Sequence, residues 1–154
     1  MSRTPRITAI FAALTLVVLL AAACKKDPDI DLKDPVPQVL GVTVSPTTVH
    51  AFQDSVVFLV EYRDGDGDLG ENSPSAKNLF LVDNRIGITE TYRIQELAPS
   101  GATIPITGTL RVILPNTGTT NGASSQSANF TVYLRDRAGN ESNHFVTSSI
   151  TITQ

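Results

Sequence analysis

Asp64, Asp66 and Asp68 occupy every second position of the stretch YRDGDGDLGE, residues 62–71, with glycines between them. That alternation has a chemical use. Calcium takes about six to eight oxygen ligands at roughly 2.3–2.6 Å, mostly carboxylates and carbonyls from a chain that can wrap. Glycine tolerates tight or positive-φ backbone, so successive carboxylates can turn toward one point. The three aspartates match positions one, three and five of the EF-hand loop, and the match then stops. Leu69 stands where that loop has glycine, and Ser75 where it has its bidentate glutamate. No helical periodicity flanks the stretch, so an EF-hand is excluded.

Two readings of the stretch stand. One is a structural, non-catalytic calcium site. The other is a hydrophilic turn in which aspartates accept backbone hydrogen bonds and glycines relieve strain. The turn reading leaves three carboxylates crowded into five residues, with Arg63 their only basic neighbour in the chain; a divalent ion would relieve that repulsion. Transition metals do not fit, because His50 and His144 lie in separate segments and the single cysteine, Cys24, lies far upstream.

Other chemistries lack their residues. There is no Gly-x-Ser-x-Gly, no His-Glu-x-x-His and no glycine-rich loop leading into a helix. Two carboxylates flanking a cleft can hydrolyse glycosides, but here the acids gather in one turn with few aromatic platforms near them. The chain is read as a non-enzyme.

The elements that position the aspartates begin after a distinctive N-terminus. Arg3 and Arg6 precede an apolar run, Ile7–Leu20, broken only by Thr8 and Thr15 and followed by Ala21-Ala22-Ala23. Charge, apolar core and small residues in that order make residues 1–23 a signal peptide. The run is shorter than the roughly 20 residues of a membrane-spanning helix. The stretch Leu20-Ala21-Ala22-Ala23-Cys24 resembles the lipobox of bacterial lipoproteins, with leucine four residues before the cysteine instead of three. The resemblance implies a covalent lipid on Cys24 and a membrane anchor without a spanning segment. An ordinary cut after Ala23 that leaves a free thiol is the alternative, though a lone exported cysteine then has no partner.

Residues 24–37 comprise that cysteine and a tether, KKDPDIDLKDPVP, whose prolines and charges suit an extended spacer that does not pack. Its opening Lys-Lys-Asp-Pro-Asp resembles the signals of surface-exported lipoproteins of the Bacteroidota. That implies an outer-membrane protein, with a lean toward the cell surface. Loss of Arg3 and Arg6 with the leader takes the net charge from −3 to −5, which argues against nucleic acid or an anionic membrane surface as the main partner.

From residue 38 to 154 the apolar residues alternate. Leu40, Val42 and Val44 share one face, as do Val56, Phe58, Val60 and Tyr62. Leu79–Val82 is fully apolar, a weaker run lies near Thr89–Ile94, and Ile106, Leu110, Val112 and Leu114 follow. Phe130, Val132 and Leu134, then Val146, Ile150 and Ile152, complete the series. Period-two burial with Pro, Gly, Asn and Asp between runs predicts an all-β antiparallel sandwich of about seven strands in one domain. The polar stretch Asn116–Ser127 reads as a mobile loop.

The strand order, DGDGDLG after the second strand and YLRDRAGNESN before the last resemble immunoglobulin-like domains of bacterial surface lipoproteins, over Val39 to Thr153. Without tryptophan or a cysteine pair the antibody-type core is absent. The resemblance implies a shape and no activity. It also implies that the second-to-third and last-to-last-but-one loops share one end of the sandwich. Asp64, Asp66, Asp68 and Glu71 would there face Asp136, Asn140 and Glu141, with Asp31 and Asp34 of the tether within reach. Gly139-Asn140 equally suits a plain hairpin turn.

Two non-enzymatic roles remain. One is a binding or structural module with a surface protein partner; the other is a carbohydrate-binding component of a surface glycan-uptake system. Tyr92, Tyr133 and Phe145 are the aromatic candidates for the second, and each also suits ordinary β-surface packing.

Overall fold

In a computed structural model of the chain, residues 34–99 and 101–154 are described. The chain divides into two units, Met1–Ile30 and Asp31–Gln154, and the described residues belong to the second. The leader, Cys24 and the tether up to Lys33 lie outside the described residues.

The described part is all-β. Its ten strands are β1 (Gln38–Ser45), β2 (Thr48–His50), β3 (Val56–Asp64), β4 (Leu79–Asp83), β5 (Ile88–Tyr92), β6 (Ile106–Leu114), β7 (Ser125–Ala128), β8 (Phe130–Leu134), β9 (Phe145–Val146) and β10 (Ile150–Thr153). One sheet runs β1-β3-β6, another β5-β4-β8-β9, and a third β2-β10-β7. Among the described residues the only parallel pairing is β2 with β10. Core residues come from all three sheets, and Phe58 of β3 meets Phe130 of β8 edge-to-face with ring centroids 5.1 Å apart. Each such fully buried side chain contributes about 1.5–3 kcal/mol.

Ten strands replace the expected seven for local reasons. Pro46 has no N–H for a ladder, so β1 ends at Ser45 as expected, and the short β2 beyond it, paired with β10, is an addition. The last run divides around Thr147, whose side-chain oxygen accepts the Phe130 N–H at 3.1 Å in place of a ladder bond. The third addition, β7, lies in the stretch expected to be a mobile polar loop. There Gln126 accepts the Thr120 N–H at 2.7 Å, and β7 pairs with β10. Side-chain amides and hydroxyls stand in for the missing apolar residues.

A further correction concerns the first strand. Its register shifts between Val39 and Gly41, a bulge that turns Val39 inward and leaves Leu40 exposed. The expected face of Leu40, Val42 and Val44 is therefore Val39, Val42 and Val44. The tether's last residue also packs: Pro37 is buried.

Strand β3 is the element that matters for the acidic loop. Val56, Phe58, Val60 and Tyr62 are its buried inward face, and one more step of two places Asp64 on the same face. Pairing of Leu79 with Leu134 brings the connection after β3 and the connection after β8 to one end of the sandwich.

Candidate metal centre

Asp64 ends β3 in the core register and is 0 % exposed. Its Oδ2 accepts the Leu69 N–H at 2.7 Å, which curls the intervening residues back over the strand end. Leu69 is itself fully buried. The residue that breaks the EF-hand pattern is thus a core plug that anchors the loop. Gly67 and Gly70 have φ of 76° and 92°. A Cβ at Gly67 would stand 2.4 Å from the Ile104 carbonyl oxygen, and one at Gly70 2.2 Å from that of Gln95. Only glycine permits both the backbone angle and the approach.

The curl brings one carboxylate oxygen from each of Asp64, Asp66 and Asp68 to within 4.8 Å of one another. At that spacing each pair of charges repels by about 3 kcal/mol for an effective dielectric near 20. Burial pushes the Asp64 pKa up to about 6, and the charges of Asp66, Asp68 and Asp136 add to the rise against the Leu69 N–H. Asp68 is raised too, by burial and then by Asp136 and Asp66, with the Ala138 N–H and Arg137 opposing. Asp64 Oδ1 and Asp68 Oδ1 are buried without a hydrogen-bond partner. Buried polar atoms are nearly always satisfied, so two orphan anionic oxygens in one cluster mark a place where a cation fits. All the donors are hard oxygens, which suit calcium and similar hard cations and not the softer ions that take sulfur or imidazole.

The second acidic loop lies against the first. The Ala138 N–H donates to Asp68 Oδ2 at 3.0 Å, and Arg137 Nη1 donates to the Gly70 carbonyl at 3.0 Å. Asp136 is buried and close enough to act on both Asp64 and Asp68. Its Oδ1 accepts the Asn140 N–H at 2.7 Å and its Oδ2 the Asn140 side-chain amide at 2.8 Å. Asn140 therefore orients Asp136 within the hairpin turn.

Other expected members go elsewhere. Glu71 is outside the converging triad, and its N–H donates to the Ile94 carbonyl at 2.9 Å. Glu141 bonds Arg135 and His144, at 2.8 Å each. Asp34 accepts the Val36 N–H at 3.0 Å, and Asp31 lies outside the described residues.

Sequence reasoning missed two parts of this pole. Arg137, besides its bond to Gly70, pairs with Glu96 at 3.3 Å, so Arg63 is not the only relevant cation. Ile94, Gln95, Ala98 and Ile104 form a third wall against Gly67 and Gly70, with Ile94 and Ala98 buried. Irregular backbone has no period to read, although the buried Ile94 and Ala98 are a faint apolar signal within it.

The aromatic candidates offer little free surface. Tyr133 is stacked on both faces, by Phe80 at 4.6 Å and His144 at 4.4 Å between centroids. Tyr92 and Phe145 pack against the core, and the Tyr92 hydroxyl donates to the Ile113 carbonyl at 3.2 Å. Neither any family model nor any curated protein matches this chain.

Proposed function

We propose that the chain is an exported, lipid-anchored, non-catalytic binding or structural module of immunoglobulin-like type, with an acidic loop end stabilised by calcium. One observation carries the calcium part: Asp64 is fully buried and keeps an unpartnered oxygen within an oxygen-only cluster. A solvated turn would place that carboxylate in water, where it costs nothing. A bound divalent ion supplies what the burial removes. The lipid anchor rests on the lipobox-like residues around Cys24.

Calcium-dependent melting tests this directly. A ligand at about 100 times its Kd stabilises the folded state by about 2.7 kcal/mol. Saturating calcium should raise Tm relative to EDTA in the mature chain, and Asp66→Asn should remove the rise. An unchanged Tm in saturating calcium would sink the calcium reading. Radiolabelled palmitate incorporation, abolished in Cys24→Ser, tests the anchor separately.

A further inference from the structure

At the end of the sandwich opposite the acidic loops, the β2–β3, β4–β5 and β6–β7 connections enclose a cleft of about 280 Å³. We propose that this cleft binds the ring of a neutral saccharide stacked on Phe52. The proposal rests on the reading of the chain as a binding module and not on the calcium site.

Phe52 is 69 % exposed at the cleft rim. Its φ is 58°, a left-handed backbone that a large aromatic residue adopts only under constraint. The constraint is visible. The Phe52 N–H donates to the Thr117 carbonyl at 2.9 Å, and the ring lies on Gly118, where a Cβ would stand 2.3 Å from the ring Cζ. Backbone strain and a dedicated glycine hold an aromatic ring up to solvent, where it gains little from burial. Rigid, half-free aromatic surfaces of this kind serve as stacking platforms.

The remaining walls select the ligand. Leu81 and Phe130, both buried, make an apolar floor. Arg85 forms one wall, and its charge is already matched: Nε and Nη2 donate to Asp83 at 2.9 and 2.6 Å, and Nη1 donates to the Gly118 carbonyl at 2.8 Å. With Arg85 neutralised, the carboxylate of Glu90 is the cleft's unbalanced charge, which disfavours anionic ligands. Asn116, held at φ 56°, adds an amide at the rim. An apolar face for the aromatic ring and a circumference of hydroxyls for Glu90 and Asn116 describe a pyranose.

Saturation-transfer NMR on the intact protein, with methyl glycosides of glucose, galactose, mannose and xylose as probes, tests the proposal. Ring protons of at least one glycoside should receive saturation. Phe52→Ala should weaken that binding at least tenfold, whereas Phe52→Tyr should stay within about threefold. Asp66→Asn should leave it unchanged, so failure of the calcium site and failure of this one are separable. Absence of transfer to all four probes overturns the proposal, as does equal transfer in Phe52→Ala. If Phe52→Ala does not fold, Phe52→Tyr decides, since loss of binding with the ring retained also overturns it.

Discussion

Asp68 and Ala138, 70 residues apart in the chain, are joined by a 3.0 Å hydrogen bond from the Ala138 amide to Asp68 Oδ2. The bond ties the loop that follows β3 to the turn that follows β8. Both loops carry acids, and strand pairing alone would set them side by side without joining them. An amide donor and the Arg137 guanidinium do the joining, and they partly offset the negative charge they bring together.

Asp64→Asn separates the cost of the buried charge from its use. The amide oxygen can still accept the Leu69 N–H, and the repulsion from Asp66 and Asp68 disappears. In EDTA at pH 7.5 the variant should be more stable than the parent by about 1–3 kcal/mol, and calcium should no longer raise its stability. Urea titrations with and without calcium read both effects. A variant less stable than the parent in EDTA would show that the charge is already compensated inside the protein.

The pH dependence follows from the same group. Asp64 titrates near 6 in the folded chain against an ordinary 3.8. Between those values the folded state binds the extra proton, so stability falls as pH rises through this window. The contribution is fully present below about pH 3.8 and lost above about pH 6. It amounts to at most about 3 kcal/mol. In EDTA, the stability of parent minus Asp64→Asn should become less favourable from pH 4.5 to 7. Calcium should flatten or invert the trend, because the ion binds the deprotonated carboxylate. A difference independent of pH would contradict the assignment.

Gly67 and Gly101 offer a controlled comparison. Both have positive φ, 76° and 77°, but nothing lies within 4 Å of a Cβ built on Gly101. Gly101→Ala should cost about 1 kcal/mol, the price of the backbone angle alone. Gly67→Ala adds a collision with the Ile104 carbonyl and should cost more than about 2 kcal/mol, with weaker calcium binding. Chemical denaturation of the two variants should rank them in that order.

Leu69→Ala removes a fully buried side chain and should cost about 2–5 kcal/mol. The deficit should persist in saturating calcium, because the leucine closes the core beneath the loop as well as holding the loop in place. A loss below about 1 kcal/mol in the melting curve would mean that the loop collapses freely into the space.

Where the fold was readable in the sequence, the period-two burial of strands such as β3 and β8 made it so. Every inward position up to Tyr62 and Leu134 is apolar or aromatic, and the outward ones carry polar groups except Val57 and Leu59 of β3. The same period reaches Asp64, and the burial of that aspartate was open to anyone who counted two residues beyond Tyr62. The bulge at Leu40 was not readable, because an extra residue in a strand leaves the composition unchanged. Nor was β7, where Gln126 and Thr120 satisfy backbone and each other without apolar side chains. Arg137 was hidden for another reason. Its partners, Gly70 and Glu96, come from loops that only the folded chain brings near.

Strand β3 joins the two ends of the domain, starting beside the connection that carries Phe52 and finishing at Asp64. Its nine residues span about 30 Å. Gln38, where the chain leaves the tether, pairs with Arg63 at the acidic end. The start of β1 and the aspartates thus share one end of the domain, and the Phe52 ring stands like a fingertip at the other, a strand's length away.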